Sequence, residues 1–325
     1  MQLRVRLLPL MVGLTGSVWG AVPGAHVGQL PAYQSGPALQ GRLSLAGTDS
    51  MAPMMRRWID IFRACQPGVE VHFETGAPPT AAAGLAAGTA DIGYTGRTLW
   101  TPEVDAIVKA QGRPPRAFRI GAGAYDDKTK THTMAVFVHR DNPLRELSLA
   151  QVESLFADSE VLTWGKLGLG GDWAAQPVHL VTAKLGTGAT NFVQEFALHG
   201  HGWSKNVNEY PTDDAAVAAL AGDRFALCVA GLPYGGPTVR PLALAGGNSG
   251  RFFEPTGENV VARRYPLARL LYFHVNDSAG QPLDRPVREF LRLVLSREGQ
   301  AIALEAGYLP LTPEIVQEEL AKLER

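Results

Sequence analysis

The sequence predicts an α/β fold with a ligand-binding sheet edge, on three observations within residues 41–99. An apolar strand runs into a polar turn and then a helix over Gly41-Arg-Leu-Ser-Leu-Ala-Gly-Thr-Asp-Ser-Met-Ala-Pro53. A second strand and a short alanine-rich helix follow it. A third strand ends in Ala90-Asp-Ile-Gly-Tyr-Thr-Gly-Arg97. Two strand ends therefore bring polar residues to one edge, which is where open α/β sheets bind ligands.

The chain begins with the pattern of a secretory signal peptide. Arg4 and Arg6 precede the apolar stretch Leu7–Leu14, and small residues surround Gly20-Ala21 and Gly24-Ala25. This places a cut near 20 to 25 and a domain 1–25 that is removed. The segment is too short to span a membrane, and no later stretch is apolar enough to do so. The protein is expected to be periplasmic. Residues 26–40, rich in Pro, Gly, Gln, Ser and His, read as an exposed leader.

The first helix announces itself by period. Met54, Trp58, Ile61, Phe62 and Cys65 form one apolar face at 3.6-residue spacing. Asp49 or Ser50 is expected to cap it, with Pro53 in the first turn and Gln66-Pro67-Gly68 as its stop. A helix start offers unpaired N–H groups and a positive dipole end, which suit an anion. Thr48-Asp49-Ser50 therefore reads either as an anion site or as a cap alone.

A second candidate lies further on. After the strand Val178-His-Leu-Val-Thr182 comes the turn Ala183-Lys-Leu-Gly-Thr-Gly-Ala-Thr190, then an apolar helix. Small residues, Gly188 among them, let N–H groups approach a ligand. Thr187 and Thr190 carry hydroxyl donors, and Lys184 carries a cation. The alternative is an ordinary glycine turn with Thr190 as its cap.

Composition narrows the function. The formal net charge is −1, so no basic surface suggests nucleic acid. The two cysteines, Cys65 and Cys228, read as buried free thiols. His199-Gly-His201 lacks a third ligand at metal spacing. No Gly-x-Ser-x-Gly elbow, P-loop or dinucleotide fingerprint is present. Trp164, Trp173 and Trp203 read as packing anchors, and Tyr265, Pro266 and Arg269 as structural residues beside a cleft.

The ordered blocks carry a resemblance. Gly47-Thr-Asp-Ser-Met-Ala-Pro53, Trp58, Phe62, Pro67-Gly68-Val69, Leu85-Ala-Ala-Gly88 and Ala90-Asp-Ile-Gly93 resemble the start of phosphate-type substrate-binding proteins of ATP-driven (ABC) importers. Val136–Pro143, Leu147–Phe156, Trp164-Gly165, Tyr265–Phe273, Leu295–Gln300 and Ala306–Pro310 continue the likeness to about residue 312.

That resemblance implies a two-lobed periplasmic-binding-protein type II architecture with a cleft between lobes and two hinge crossings. Lobe I would hold 41–136 and 270–325, and lobe II 137–269. It implies a monomer without cofactor or metal, which captures a small inorganic oxyanion such as phosphate and delivers it to an ABC transporter permease. The expected ligand set is Thr48, Asp49, Ser50, Thr80, Arg97, Lys184, Thr187, Gly188 and Thr190. For Arg97 the alternative is a surface arginine paired with Asp49 or Asp91.

Three positions depart from the family pattern. Pro78 stands where the family has a serine, Gly96 where it often has a proton-accepting aspartate, and Ala183 where it has an arginine. Thr80 and Lys184 are the nearest substitutes, and lysine lacks the guanidinium fork. The departures motivate a rival reading, an adaptor or sensor on the same scaffold that contacts an envelope partner. A third reading is an envelope phosphatase or esterase with Ser50 as nucleophile.

Overall fold

The computed structural model describes residues 24–324 except 78, 159–161, 247–249 and 277–281. The expected signal peptide up to residue 23 and Pro78 lie outside the described residues. The first half builds β1 (Gly41–Thr48), α1 (Ala52–Cys65), β2 (Val69–Gly76), α2 (Thr80–Ala87), β3 (Ile92–Thr95), α3 (Thr101–Gln111) and β4 (Arg116–Ala122). The chain then forms β5 (Met134–His139), β6 (Glu146–Ser148), α4 (Leu149–Ala157), β7 (His179–Ala183), α5 (Gly188–Phe196), β8 (Val207–Tyr210) and α6 (Asp213–Gly222). It continues with β9 (Ala226–Gly231), β10 (Val239–Pro241), β11 (Ala243–Ala245) and α7 (Gly257–Val261). It ends in β12 (Leu270–Val275), α8 (Arg285–Val294), α9 (Arg297–Glu305) and α10 (Pro313–Ala321).

These strands form two mixed five-stranded sheets, ordered β2-β1-β3-β12-β4 and β10-β5-β9-β7-β8, with β6 and β11 as a separate pair. In the first sheet β1, β2 and β3 run parallel, while β12 is antiparallel to β3 and β4. The carboxyl ends of β1–β4 and the amino end of β12 therefore share one edge. In the second, β7 runs parallel to β8 and β9, and β5 is antiparallel to β9. Gly231, at the end of β9, pairs with Met134, at the start of β5.

The two chain crossings, from β4 to β5 and into β12, lie side by side. Gly123 N–H donates to Arg269 O at 2.7 Å, Ala124 N–H to Thr131 O at 2.8 Å, and Met134 N–H to Leu267 O at 3.2 Å.

The α1 face is displaced from the expected one. Met54, Trp58 and Phe62 are buried, but Met55 and Ile59 join them while Ile61 and Cys65 are only half-buried. The reason is the packing partner. Phe62 meets Phe290 of α8 edge-on at 5.3 Å, and Trp58 meets Phe273 of β12 at 6.0 Å. This centres the helix on a line between α8 and the sheet. Cys65 and Cys228 are free thiols. The tryptophans pack as read: Trp164 against Trp173 at 5.8 Å, and Trp203 against Phe156 at 5.8 Å.

The stretch 26–40 is exposed along much of its length, yet it is pinned. Val27 and Leu30 are buried, Arg297 N–H donates to Pro31 O, and Tyr33 and Gly36 both donate to Glu289.

Candidate functional site

The start of α1 is built differently from the expected cap. A 3-10 turn, Asp49–Met51, separates β1 from α1, and neither it nor α1 has a side-chain cap. Asp49 instead accepts from Thr75 Oγ1 at 2.7 Å, and Ser50 Oγ lies 3.0 Å from Thr131 Oγ1. The extra turn carries both side chains past the position from which they would reach back to the helix amides. Those amides are left without a side-chain acceptor.

Ser50 also shares a longer contact, 3.5 Å, with the Thr48 hydroxyl. Its side-chain partners are thus hydroxyls rather than a base, so it lacks the neighbour that activates a serine nucleophile. Tyr308 closes this corner by donating its hydroxyl to Ser50 O at 2.9 Å. Burial, the largest cause, raises the Tyr308 phenol to about 12.

Gly96 explains the position of Thr131. A Cβ at Gly96 would lie 2.6 Å from Thr131 Cγ2 and 2.8 Å from its Oγ1. The threonine thus fills the space that a larger residue at 96 would need. On the other side, Gly231 lies against the next residue in the chain: a Cβ there would be 2.3 Å from His132 Nε2. Leu232 N–H then donates to Thr133 O at 2.8 Å. Thr131-His132-Thr133 therefore touches the edges of both sheets.

Arg97 is not the free cation of the sequence reading, nor is its partner Asp49 or Asp91. Its Nη1 and Nη2 donate to Glu103 at 2.6 and 2.7 Å, and its guanidinium covers the Trp100 ring at 3.8 Å. Only 5 % of its side chain is exposed. His274 buttresses the same turn from β12, with Nε2 3.1 Å from Thr95 Oγ1 and 3.3 Å from Arg97 O.

The turn before α5 is likewise self-contained. Thr190 N–H donates to Thr187 Oγ1 and Thr187 N–H to Thr190 Oγ1, which together form a capping box. Thr190 Oγ1 also lies 3.2 Å from Lys184 O. Lys184, Thr187 and Gly188 are exposed and Thr190 is buried. Gly186, at φ 75°, makes the bend. Thr80 begins α2, its hydroxyl over Gly76 at the end of β2.

Arg269 is the residue that sequence reasoning undervalued. It stands on the second crossing, immediately before β12, with its guanidinium 5.2 Å from the Phe192 ring of α5. Among the described residues it has no ion-pair partner, and its Nε is buried without a hydrogen-bond acceptor. Burial, and then the nearby charge of Arg97, lower its pKa to about 10, so it remains a cation at neutral pH. The signal that could have found it is a lone arginine inside the apolar run Tyr265–Phe273.

Two more polar atoms are orphaned on the first crossing, His132 Nε2 and Thr133 Oγ1. His132 is 7 % exposed and Thr133 is fully buried. His132 Nδ1 faces Lys130 O at 2.9 Å, which assigns the proton to Nδ1 and leaves Nε2 as the bare nitrogen of the neutral ring. Burial, then Arg269, lowers its pKa.

His199 and His201 both reach Glu153, at 3.0 and 3.3 Å. No helix among the described residues is long and apolar enough to cross a membrane.

The model of the PBP superfamily domain matches residues 32–298. The phosphate-binding protein PstS of Pseudomonas aeruginosa is 31 % identical to the chain over 98 % of it and 99 % of that protein. Among solved structures, PstS from Borrelia burgdorferi superposes with a TM-score of 0.64 at 15 % identity, over 84 % of this chain and 100 % of that one. A possible phosphate-binding protein from Planctomyces limnophilus gives a TM-score of 0.59 at 19 % identity, over 89 % of this chain and 100 % of that one. The structural likenesses establish the shared two-sheet fold.

Proposed function

Because the chain belongs to the PBP superfamily and is an end-to-end relative of the PstS phosphate-binding proteins, we propose that it is a non-enzymatic solute-binding protein that captures phosphate or a related small oxyanion for an ABC importer. It works outside the cytoplasm as a monomer, and the Arg4–Ala25 segment supports its export. The transporter permease is its protein partner, and the energy for import comes from the transporter.

The observation that carries this reading is the position of Thr131-His132-Thr133. Thr131 meets Ser50 and Gly96 of the first sheet's edge, and His132 and Thr133 meet Gly231 and Leu232 of the second. An anion held beside this segment would couple both sheets to the crossings. The amides of the Asp49–Met51 turn, the hydroxyls of Thr48, Ser50 and Thr80, and the Lys184–Thr190 turn surround it on this reading. Arg97 acts one step back: its ion pair with Glu103 fixes the turn after β3.

Isothermal titration with phosphate, sulfate, molybdate and small carboxylates tests the proposal. Heat is expected with an oxyanion, with ligand-dependent compaction in solution scattering. Absence of heat with every anion would remove the proposal and favour the adaptor reading.

A further inference from the structure

The crossings carry three buried polar atoms without partners: Arg269 Nε, His132 Nε2 and Thr133 Oγ1. Folded proteins satisfy nearly all buried polar groups, so each exception requires an explanation. These three are not scattered. Gly123 N–H bonds Arg269 O, and a Cβ at Gly123 would sit 3.1 Å from Arg269 O, His132 C and Thr133 N alike. The orphans therefore belong to one knot of backbone.

Among the described residues no carboxylate forms an ion pair with the Arg269 cation. Four carboxylates on the neighbouring turns have donors of their own. Asp213 accepts from Gly231 N–H, Asp127 from Thr129, Asp49 from Thr75, and Glu103 from Arg97. Arg97 adds a second positive charge close to the first. Phe192 of α5 lies 5.2 Å from the guanidinium. An uncompensated, partly desolvated charge at this place destabilises the empty protein, and an anion would reverse that cost.

We propose that Arg269, on the second crossing, is the cationic clamp for the bound oxyanion and stands in for the arginine missing at Ala183, with the Thr133 hydroxyl donating to the same anion. The inference rests on the oxyanion-binding reading above. A guanidinium fork matches two oxygens of one tetrahedral or carboxylate anion, which a lysine on the Lys184 turn cannot do. It also puts the ligand's charge on the hinge itself rather than on either lobe. Ligand occupancy is then felt directly where the two crossings meet.

The test titrates phosphate and sulfate into the full mature chain and its variants. R269Q is expected to bind about a hundredfold more weakly or worse, and R269K about tenfold more weakly. K109Q, on the exposed face of α3, is expected to bind as the parent does. A second measurement avoids reliance on a variant that misfolds. The unaltered protein is treated with phenylglyoxal with and without phosphate, and modified peptides are mapped by mass; phosphate should protect Arg269. If the parent binds an oxyanion but R269Q binds within threefold of it, or phosphate leaves Arg269 unprotected, the clamp is wrong and the binding function stands. If the parent binds neither phosphate nor sulfate nor any other anion, the functional reading fails and the clamp with it.

Discussion

Glu103 holds Arg97 through two parallel hydrogen bonds, Nη1 to Oε2 at 2.6 Å and Nη2 to Oε1 at 2.7 Å, and with Oε2 also accepts the Trp100 N–H at 2.8 Å. One carboxylate therefore closes the turn after β3 and caps α3. Both side chains are largely withdrawn from solvent, at 5 % and 14 % exposure. Removing one partner strands a buried charge, which costs about 3–5 kcal/mol. E103A should lose stability in that range by urea unfolding, and E103Q less, because its amide oxygen can still cap Trp100. A loss under 1 kcal/mol for E103A would show that the pair is ornamental to the fold.

The Gly96–Thr131 approach makes a second prediction. A methyl at Gly96 collides with the Thr131 side chain, and the threonine would have to abandon Ser50 to escape. G96A should destabilise by about 1–3 kcal/mol. The double variant G96A/T131G should recover most of that loss, which a double-mutant cycle of melting curves would measure. Additive effects would deny that the two positions share the same space.

The strands were readable because their ends carry polar turns and their interiors apolar runs: β1 begins at Gly41 as expected, β3 lies inside Ala90–Arg97, and β7 is one residue on from Val178–Thr182. Local pattern fails where a tertiary partner decides. Met55 and Ile59 join the buried face of α1 because α8 lies beside it, and α8 is more than 200 residues away in sequence. Arg97 has its partner six residues on, beyond a turn whose geometry no period encodes. Arg269 was legible in part. A lone arginine inside the apolar run Tyr265–Phe273 marks it in the chain, but its lack of an acceptor is a tertiary fact that the chain does not encode. The hydroxyls of Thr187 and Thr190, read as ligand donors or a cap, are engaged with each other in the capping box.

His274 sets a pH dependence. Burial, and then the charge of Arg97, depresses its pKa to about 4, against about 6.5 in the unfolded chain. The unfolded state therefore takes up the proton first as pH falls. Stability from this group is complete above about pH 6.5, declines through the window down to about pH 4, and changes no further below it. The total loss is about 3 kcal/mol at 1.36 kcal/mol per pH unit. His132 is shifted in the same direction and adds to the slope. Urea midpoints from pH 4 to 8 should show the decline, and H274Q should flatten it.

The pinning of the amino-terminal stretch gives the last prediction. Glu289 on α8 is 6 % exposed, and it accepts the Tyr33 hydroxyl at 2.7 Å and Gly36 N–H at 2.8 Å. Arg292 lies 3.3 Å from its other oxygen but is itself 46 % exposed, so solvent weakens that pair. Burial, followed by the carboxylate, pushes the Tyr33 phenol up, as expected of a donor to a charged acceptor. Y33F removes that donor while keeping the ring, and a hydrogen bond to a charged group is worth about 1.5–3 kcal/mol. The variant should lose stability within that range and exchange the Gly36 amide faster, because the strap is held from both points. Unchanged exchange at Gly36 would mean that Tyr33 and the strap are independent.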